Sequence, residues 1–99
     1  MYARNLSIHL KPTSLKPFTE KLEKEIMPLL RKQEGFRNEI TFSDDNGTNV
    51  TAISLWDTEA HANQYNTSGY PQVLKVLEPV LDGSPTMIAG SSIVYGATA

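Results

Sequence analysis

The sequence predicts an α+β domain of order β-α-β-β-α-β, and three features carry that prediction. The run Pro28-Leu-Leu-Arg-Lys-Gln-Glu-Gly35-Phe36 reads as a helix end turning directly into a strand. Leu55-Trp56-Asp57-Thr58-Glu59-Ala60 reads as the reverse junction, a strand end running straight into a helix. Between them, Asp44-Asp-Asn-Gly47 is a hairpin signal, because glycine supplies the positive φ that tight hairpin turns demand.

The remaining elements follow in order. Leu6, Ile8 and Leu10 alternate with Asn5, Ser7 and His9, the period of two that marks a strand over residues 4–10. Pro12 ends it. Thr13 and Ser14 offer an N-cap to a helix that tolerates Pro17 in its first turn. Leu15, Phe18, Leu22, Ile26, Leu29 and Leu30 form one apolar stripe at helical spacing, with Glu20, Lys21, Glu23 and Lys24 mostly outside it. Glu20 and Lys24 stand four residues apart in the order that favours pairing. Pro28 falls inside the stripe, where it removes a backbone donor and strikes the carbonyl of Lys24, costing about 3 kcal/mol unless compensated. Because the stripe continues through Leu30, one kinked helix is expected and not two. Gly35 stops it in the left-handed conformation.

Phe36, Asn38, Ile40 and Phe42 form one row of the next strand, against Arg37, Glu39, Thr41 and Ser43. After the turn, Thr48 to Trp56 places Val50, Ala52, Ser54 and Trp56 on one face and Ile53 and Leu55 on the other. Asp57 is expected to cap the second helix, with Glu59 in its first turn. Thr67-Ser-Gly69 breaks that helix and Pro71 opens a second piece, whose stripe runs through Tyr70, Val73, Leu74, Leu77 and Leu81. Thr86 to Tyr95 is the last strand, weakened by Gly90. The result is the ferredoxin-like, split βαβ arrangement, a four-stranded antiparallel sheet with helices on one face. Apolar residues occupy both faces of the central hairpin, and two helices cannot cover both. A second copy facing the sheet is the economical cover, so a homodimer is expected.

Size and composition bound the function. Ninety-nine residues make one domain, taken as 1–99, with a modest core. Hydrophobic content is 39%, below the usual level of about 45–50%, which also favours burial against a partner. The absence of cysteine excludes a disulfide scaffold and a thiolate nucleophile. The N-terminal residues lack the features of a signal peptide, and no stretch has the 18 or so apolar residues of a membrane span. A cytoplasmic protein without membrane partners is expected. A net charge of −2 argues against binding a nucleic-acid backbone. With only two histidines, a metal site is not expected, nor is a bound cofactor.

No strong catalytic motif is present. Asn5 and His9 share the polar row of the first strand; each reads either as a strand polar residue or as a hydrogen-bonding or proton-accepting group in a pocket. His61 reads as an ordinary helical residue. Trp56 is a core or interface anchor, or the wall of a ligand site. Tyr65 and Tyr70 flank the helix break, where their hydroxyls could meet a phenolic or quinone-like ligand. Any cavity is expected between sheet and helices, bounded by Asn5, Trp56, Tyr65, Tyr70 and Leu74. Which row of the first strand faces the helices stays open at this point.

Over residues 3–95 the chain resembles the antibiotic biosynthesis monooxygenase superfamily of dimeric α+β barrels. The marks are the late Pro28 of the first helix, the Gly35-Phe36 turn, Trp56 leading directly into Asp57-Thr-Glu-Ala60, and Tyr65 with the Ser68–Tyr70 break. The resemblance implies two sheets closing into a barrel and a ligand cavity in each subunit. Some members oxidise polyketide phenols to quinones with molecular oxygen and no metal or flavin; others degrade haem. The haem-degrading branch uses an asparagine on the first strand, a tryptophan on the second helix and a histidine further along. Asn5 matches the first, whereas Tyr65 and Lys75 stand at the other two. The cofactor-free reading implies a monooxygenase acting on an aromatic or enolisable molecule, with Asn5 and His9 as catalytic residues and Trp56, Tyr65, Tyr70 and Leu74 around the substrate. The competing reading is a small dimer that binds a ligand or has a structural role without catalysis.

Overall fold

The computed structural model describes residues 1–94. Strands β1 (Tyr2–His9), β2 (Phe36–Ser43), β3 (Asn49–Trp56) and β4 (Thr86–Ser92) form one antiparallel sheet in the order β2-β3-β1-β4. Tyr95, expected at the end of the last strand, lies outside the described residues. Helical segments α1 (Leu15–Lys21) and α2 (Met27–Arg31) flank a π-helical stretch, Leu22–Ile26; α3 (Glu59–Ser68), α4 (Tyr70–Leu77) and a 3-10 turn, Glu78–Val80, follow β3. Leu6, Ile8, Val50 and Trp56 from the sheet meet Phe18, Ile26, Leu30, Tyr65, Val73 and Leu77 from the helices in one buried core.

The π stretch is how the chain accommodates Pro28. The backbone N–H of Met27 donates to Leu22, five residues back, so the turn ahead of the proline is widened by one residue. Pro28 then enters within the first two positions of α2, where a missing N–H costs little. Helical backbone therefore runs from 15 to 31 without a break. The same widening moves side chains off four-residue spacing, and Glu20 and Lys24 do not form the expected ion pair.

Two local features differ from simple alternation. The ladder between β2 and β3 steps from Phe36↔Trp56 to Asn38↔Leu55, leaving Arg37 as the extra residue of a β-bulge. The bulge splits the row expected to hold Phe36 with Ile40 and Phe42. Phe36 packs on Trp56 under the helices, whereas Ile40 and Phe42 turn to the outer face and Glu39 and Thr41 turn inward. At the second junction, Thr58 and not Asp57 is the N-cap of α3: its hydroxyl accepts from the His61 backbone N–H at 3.2 Å. Asp57 instead pairs with the bulged Arg37. Gly35 is required where these elements meet, since it adopts φ +81° and any Cβ there would collide with the His61 ring.

The helices leave the outer sheet face open. Ile40 and Phe42 are each 52% exposed and Ile88 is 51% exposed; Ile53 and Leu55 lie beside them, with Asn5, Ser7 and His9 on the same face.

Candidate functional site

Which row of β1 faces the helices is settled by burial. Leu6, Ile8 and Leu10 point inward, and Arg4, two residues before Leu6, shares their row and is drawn in with them. Arg4 is only 5% exposed. Its Nη2 donates to Asn66 Oδ1 at 2.9 Å, and its Cζ lies 4.2 Å from the Tyr70 ring centroid and 5.2 Å from that of Tyr65. The rings offer the guanidinium a cation–π environment in place of water. Its Nε is buried and has no hydrogen-bond partner, an arrangement that is costly for a charged donor. Burial lowers the Arg4 pKa, an effect opposed chiefly by the two tyrosines.

Glu39 approaches the same space from β2. Its carboxylate is half-buried and accepts a hydrogen bond from Thr41 Oγ1 at 2.8 Å. Desolvation pushes its pKa up to about 7, with the Thr41 bond and the charge of Arg4 pulling the other way. Arg4 and Glu39 do not form an ion pair. Register places them in one row: Glu39 pairs with Ser54, and Ser54 with Arg4. Neighbouring strands are about 4.8 Å apart, so two strand spacings, roughly 10 Å, separate their backbones across a small serine.

Arg4, Glu39, Thr41, Ser54, Tyr65 and Tyr70 give polar atoms to a cavity of about 40 Å³ between sheet and helices. Its other walls are apolar. Phe18, Leu22, Ile26 and Leu30 come from the first helical run, Val73, Leu74 and Leu77 from α4, and Ala52 lies on the sheet beside Ser54. Leu6 and Ile8 of β1 and Pro85, ahead of β4, complete the lining. The Tyr65 and Tyr70 hydroxyls have pKa values raised by burial, so both stay neutral phenols. Volume on this scale admits a few water molecules, whereas an engineered cavity that binds benzene measures about 150 Å³.

Tyr65, Tyr70 and Leu74, expected around a substrate, therefore line one cavity. Trp56 stands behind it. The indole is 0% exposed, stacks on Tyr65 at 4.9 Å between centroids, and donates from Nε1 to Ser54 Oγ at 2.9 Å. Asn5 and His9 belong to the opposite row of β1 and lie on the outer face. Asn5 sits between Ile53 and Ile88, and exposed His9 meets Asn49 Oδ1 through Nδ1 at 2.6 Å. The structure does not bring them together with the tyrosines. Among the described residues, no three histidine, aspartate or glutamate side chains converge as they would around a metal ion. Arg4 and Glu39 were missed by sequence reasoning. The available signal was a charged residue continuing the apolar row Leu6-Ile8-Leu10; for Glu39 the unseen bulge hid it.

No family model and no curated protein matches the sequence. Solved structures do match in fold. A protein of unknown function from Nitrosomonas europaea aligns with a TM-score of 0.79 at 12% identity, over 99% of this chain and 93% of the other. A monooxygenase of Streptomyces coelicolor, solved with the ligand nanaomycin D, aligns at 0.77 with 17% identity, over 99% and 90%. An antibiotic biosynthesis monooxygenase aligns at 0.73 with 13% identity, over 96% and 100%. The chain has the fold of the antibiotic-biosynthesis-monooxygenase superfamily. Among the described residues no helix is long and apolar enough to cross a membrane.

Proposed function

We propose that this protein is a cytoplasmic homodimer whose subunits each bind a small aromatic or enolisable molecule between sheet and helices and oxygenate it without a cofactor. The observation that carries the reading is the buried Arg4 guanidinium, with a free Nε, at the wall of an otherwise mainly apolar cavity. A few convergent polar groups within apolar walls are the usual make-up of a small-molecule site. Further support comes from the S. coelicolor monooxygenase of the same fold, which was solved with nanaomycin D.

The reaction balances with oxygen as sole oxidant. A phenol loses its hydroxyl proton, and a ring carbon of the phenolate gives electrons to O2 and forms a C–O bond. Protonation yields a hydroperoxide. Loss of the hydrogen on that carbon then breaks the O–O bond, expelling hydroxide that leaves as water. One phenol and one O2 thus become one quinone and one water. The pocket has to widen to admit a ring, and the partly buried Tyr70, Leu74 and Pro85 are the part of the wall we propose is displaced. Asn5 and His9 take their place between the two sheets of the dimer, together with Ile40, Phe42, Ile53 and Ile88.

The resting size of the cavity favours the second reading, a dimer that binds a small ligand without turning it over. Oxygen-electrode traces with a panel of phenols, hydroquinones and enolisable ketones separate the two. Uptake of one O2 per substrate by metal-free protein supports the monooxygenase. Binding without oxygen uptake across the panel leaves the non-enzymatic dimer.

A further inference from the structure

Resting on the pocket reading above, we propose that Arg4 and Glu39 are its reacting pair: Glu39 takes the proton of a bound phenolic or enolic hydroxyl, and Arg4 holds the oxyanion left behind. The geometry is a gap between two opposite charges that do not meet. Both side chains rise from the inner face of the sheet, two strands apart, with only Ser54 between them in the same row. An arginine and a glutamate with that reach would ordinarily close an ion pair in an apolar setting, because each alone is costly to bury. Here Arg4 is instead turned onto Tyr70 and Asn66, and Glu39 onto Thr41. In this arrangement a ligand hydroxyl lies over Ser54, its oxygen toward the guanidinium and its hydrogen toward the carboxylate.

The step is a plain proton transfer. The ligand O–H bond breaks, a Glu39 O–H bond forms, and the electron pair stays on the ligand oxygen beside Arg4. No electron leaves the ligand, so no oxidant is needed until O2 arrives. The groups facing Glu39 are few. Arg4 comes from β1, Tyr65 from α3, Tyr70 from α4 and Thr41 from its own strand, while the first helical run contributes only Phe18, Leu22, Ile26 and Leu30. With the tyrosines neutral, Arg4 is, among the described residues, the one charge that opposes proton uptake. A carboxylate that titrates near neutrality, as desolvation makes this one, is matched to the task of a general base. Specificity follows as well. A neutral hydrocarbon leaves the Arg4 Nε unpaired, and a carboxylate brings a second negative charge against Glu39; a weakly acidic hydroxyl satisfies both.

The test uses 4-nitrophenol, which absorbs in the visible as its phenolate, in the full-length protein. Above about pH 8 the free probe is already an anion, so its complex requires Glu39 to take a proton from the buffer. Calorimetric titration in two buffers of different ionisation enthalpy is expected to show uptake of about one proton per probe bound. Affinity is expected to fall about tenfold for each pH unit in that range, the slope that one coupled proton imposes. Glu39→Gln should bind the phenolate with no proton uptake and no such slope. Arg4→Gln should weaken phenolate binding at least tenfold, with Arg4→Lys restoring part of it. Equal proton uptake by wild type and E39Q, or none by wild type, overturns the pair while leaving a ligand site in place. If 4-nitrophenol does not bind at millimolar concentration, or binds unchanged to Leu74→Trp, the pocket reading itself falls. E39Q keeps the side chain's shape, so its arm stands even if an Arg4 variant does not fold.

Discussion

Glu39→Gln should make this protein more stable, and more so as pH rises. In the folded chain Glu39 holds its proton up to about pH 7, against an ordinary value of 4.5. Below that ordinary value, folded and unfolded chains are both protonated there and nothing is lost. Between about pH 4.5 and 7 the folded state keeps a proton that the unfolded chain has released, so folding loses stability as pH rises through this window. Above it the full cost of a buried carboxylate is present. At about 1.36 kcal/mol for each pKa unit, the ceiling is about 3 kcal/mol. Glu39 is only half-buried, and screening by solvent brings this to about 1–2 kcal/mol. Glutamine keeps the shape and can still accept from Thr41. For a domain of this size the gain is a rise in Tm of about 5–10 °C. Urea denaturation of both proteins at about pH 4.5, 6 and 8 reads it directly. The difference should be close to zero at the lowest pH and reach its maximum at the highest. A difference that is constant with pH, or that favours wild type at pH 8, refutes the argument that desolvation governs this carboxylate.

Other outcomes follow from the same structure. Trp56→Phe should cost about 2 kcal/mol in chemical denaturation, because it removes the donor to buried Ser54 Oγ along with part of the stack on Tyr65. Gly35→Ala should destabilise by at least about 2 kcal/mol, through the positive φ and the collision with His61. His61→Ala in that background should recover the collision and not the φ cost, which a double-mutant cycle measures. Phe42→Lys should give a folded monomer, since sedimentation equilibrium of the wild type is expected at twice the 11.0 kDa chain mass; a wild type that sediments as a monomer would end the dimer proposal.

The order of elements was legible because each junction is chemically abrupt. Gly35 ends a helix beside Phe36, Trp56 ends a strand beside the Thr58 cap, and Gly47 turns the hairpin at φ +69°. The sides of the strands were not legible: β3 carries apolar residues in both rows, and in β1 an apolar row stood against a polar one with nothing in the spacing to say which met the helices. In β1 the row of Leu6 and Ile8 also carries Arg4, a charge pointing to a site on the helix side that the spacing alone did not bring out. In β2 alternation misled, because one extra residue at Arg37 exchanges the two faces, and no side-chain pattern announces a bulge. Glu39 was therefore set in the row of Arg37, Thr41 and Ser43, and Phe36 was grouped with Ile40 and Phe42. Trp56, Tyr65 and Tyr70 were recognisable as aromatics beside a helix break. That the tryptophan stands behind Tyr65 rather than in the cavity depends on packing between distant segments, which spacing along the chain does not encode.

We propose that the space between sheet and helices, and not the apolar outer face, takes the ligand. Methyl-resolved NMR of the protein titrated with 4-nitrophenol tests it most directly. Shifts are expected to concentrate on Leu22, Ile26, Leu74 and Leu77, which line the cavity. Shifts confined to Ile40, Ile53 and Ile88, or no shifts at saturating probe, would contradict it.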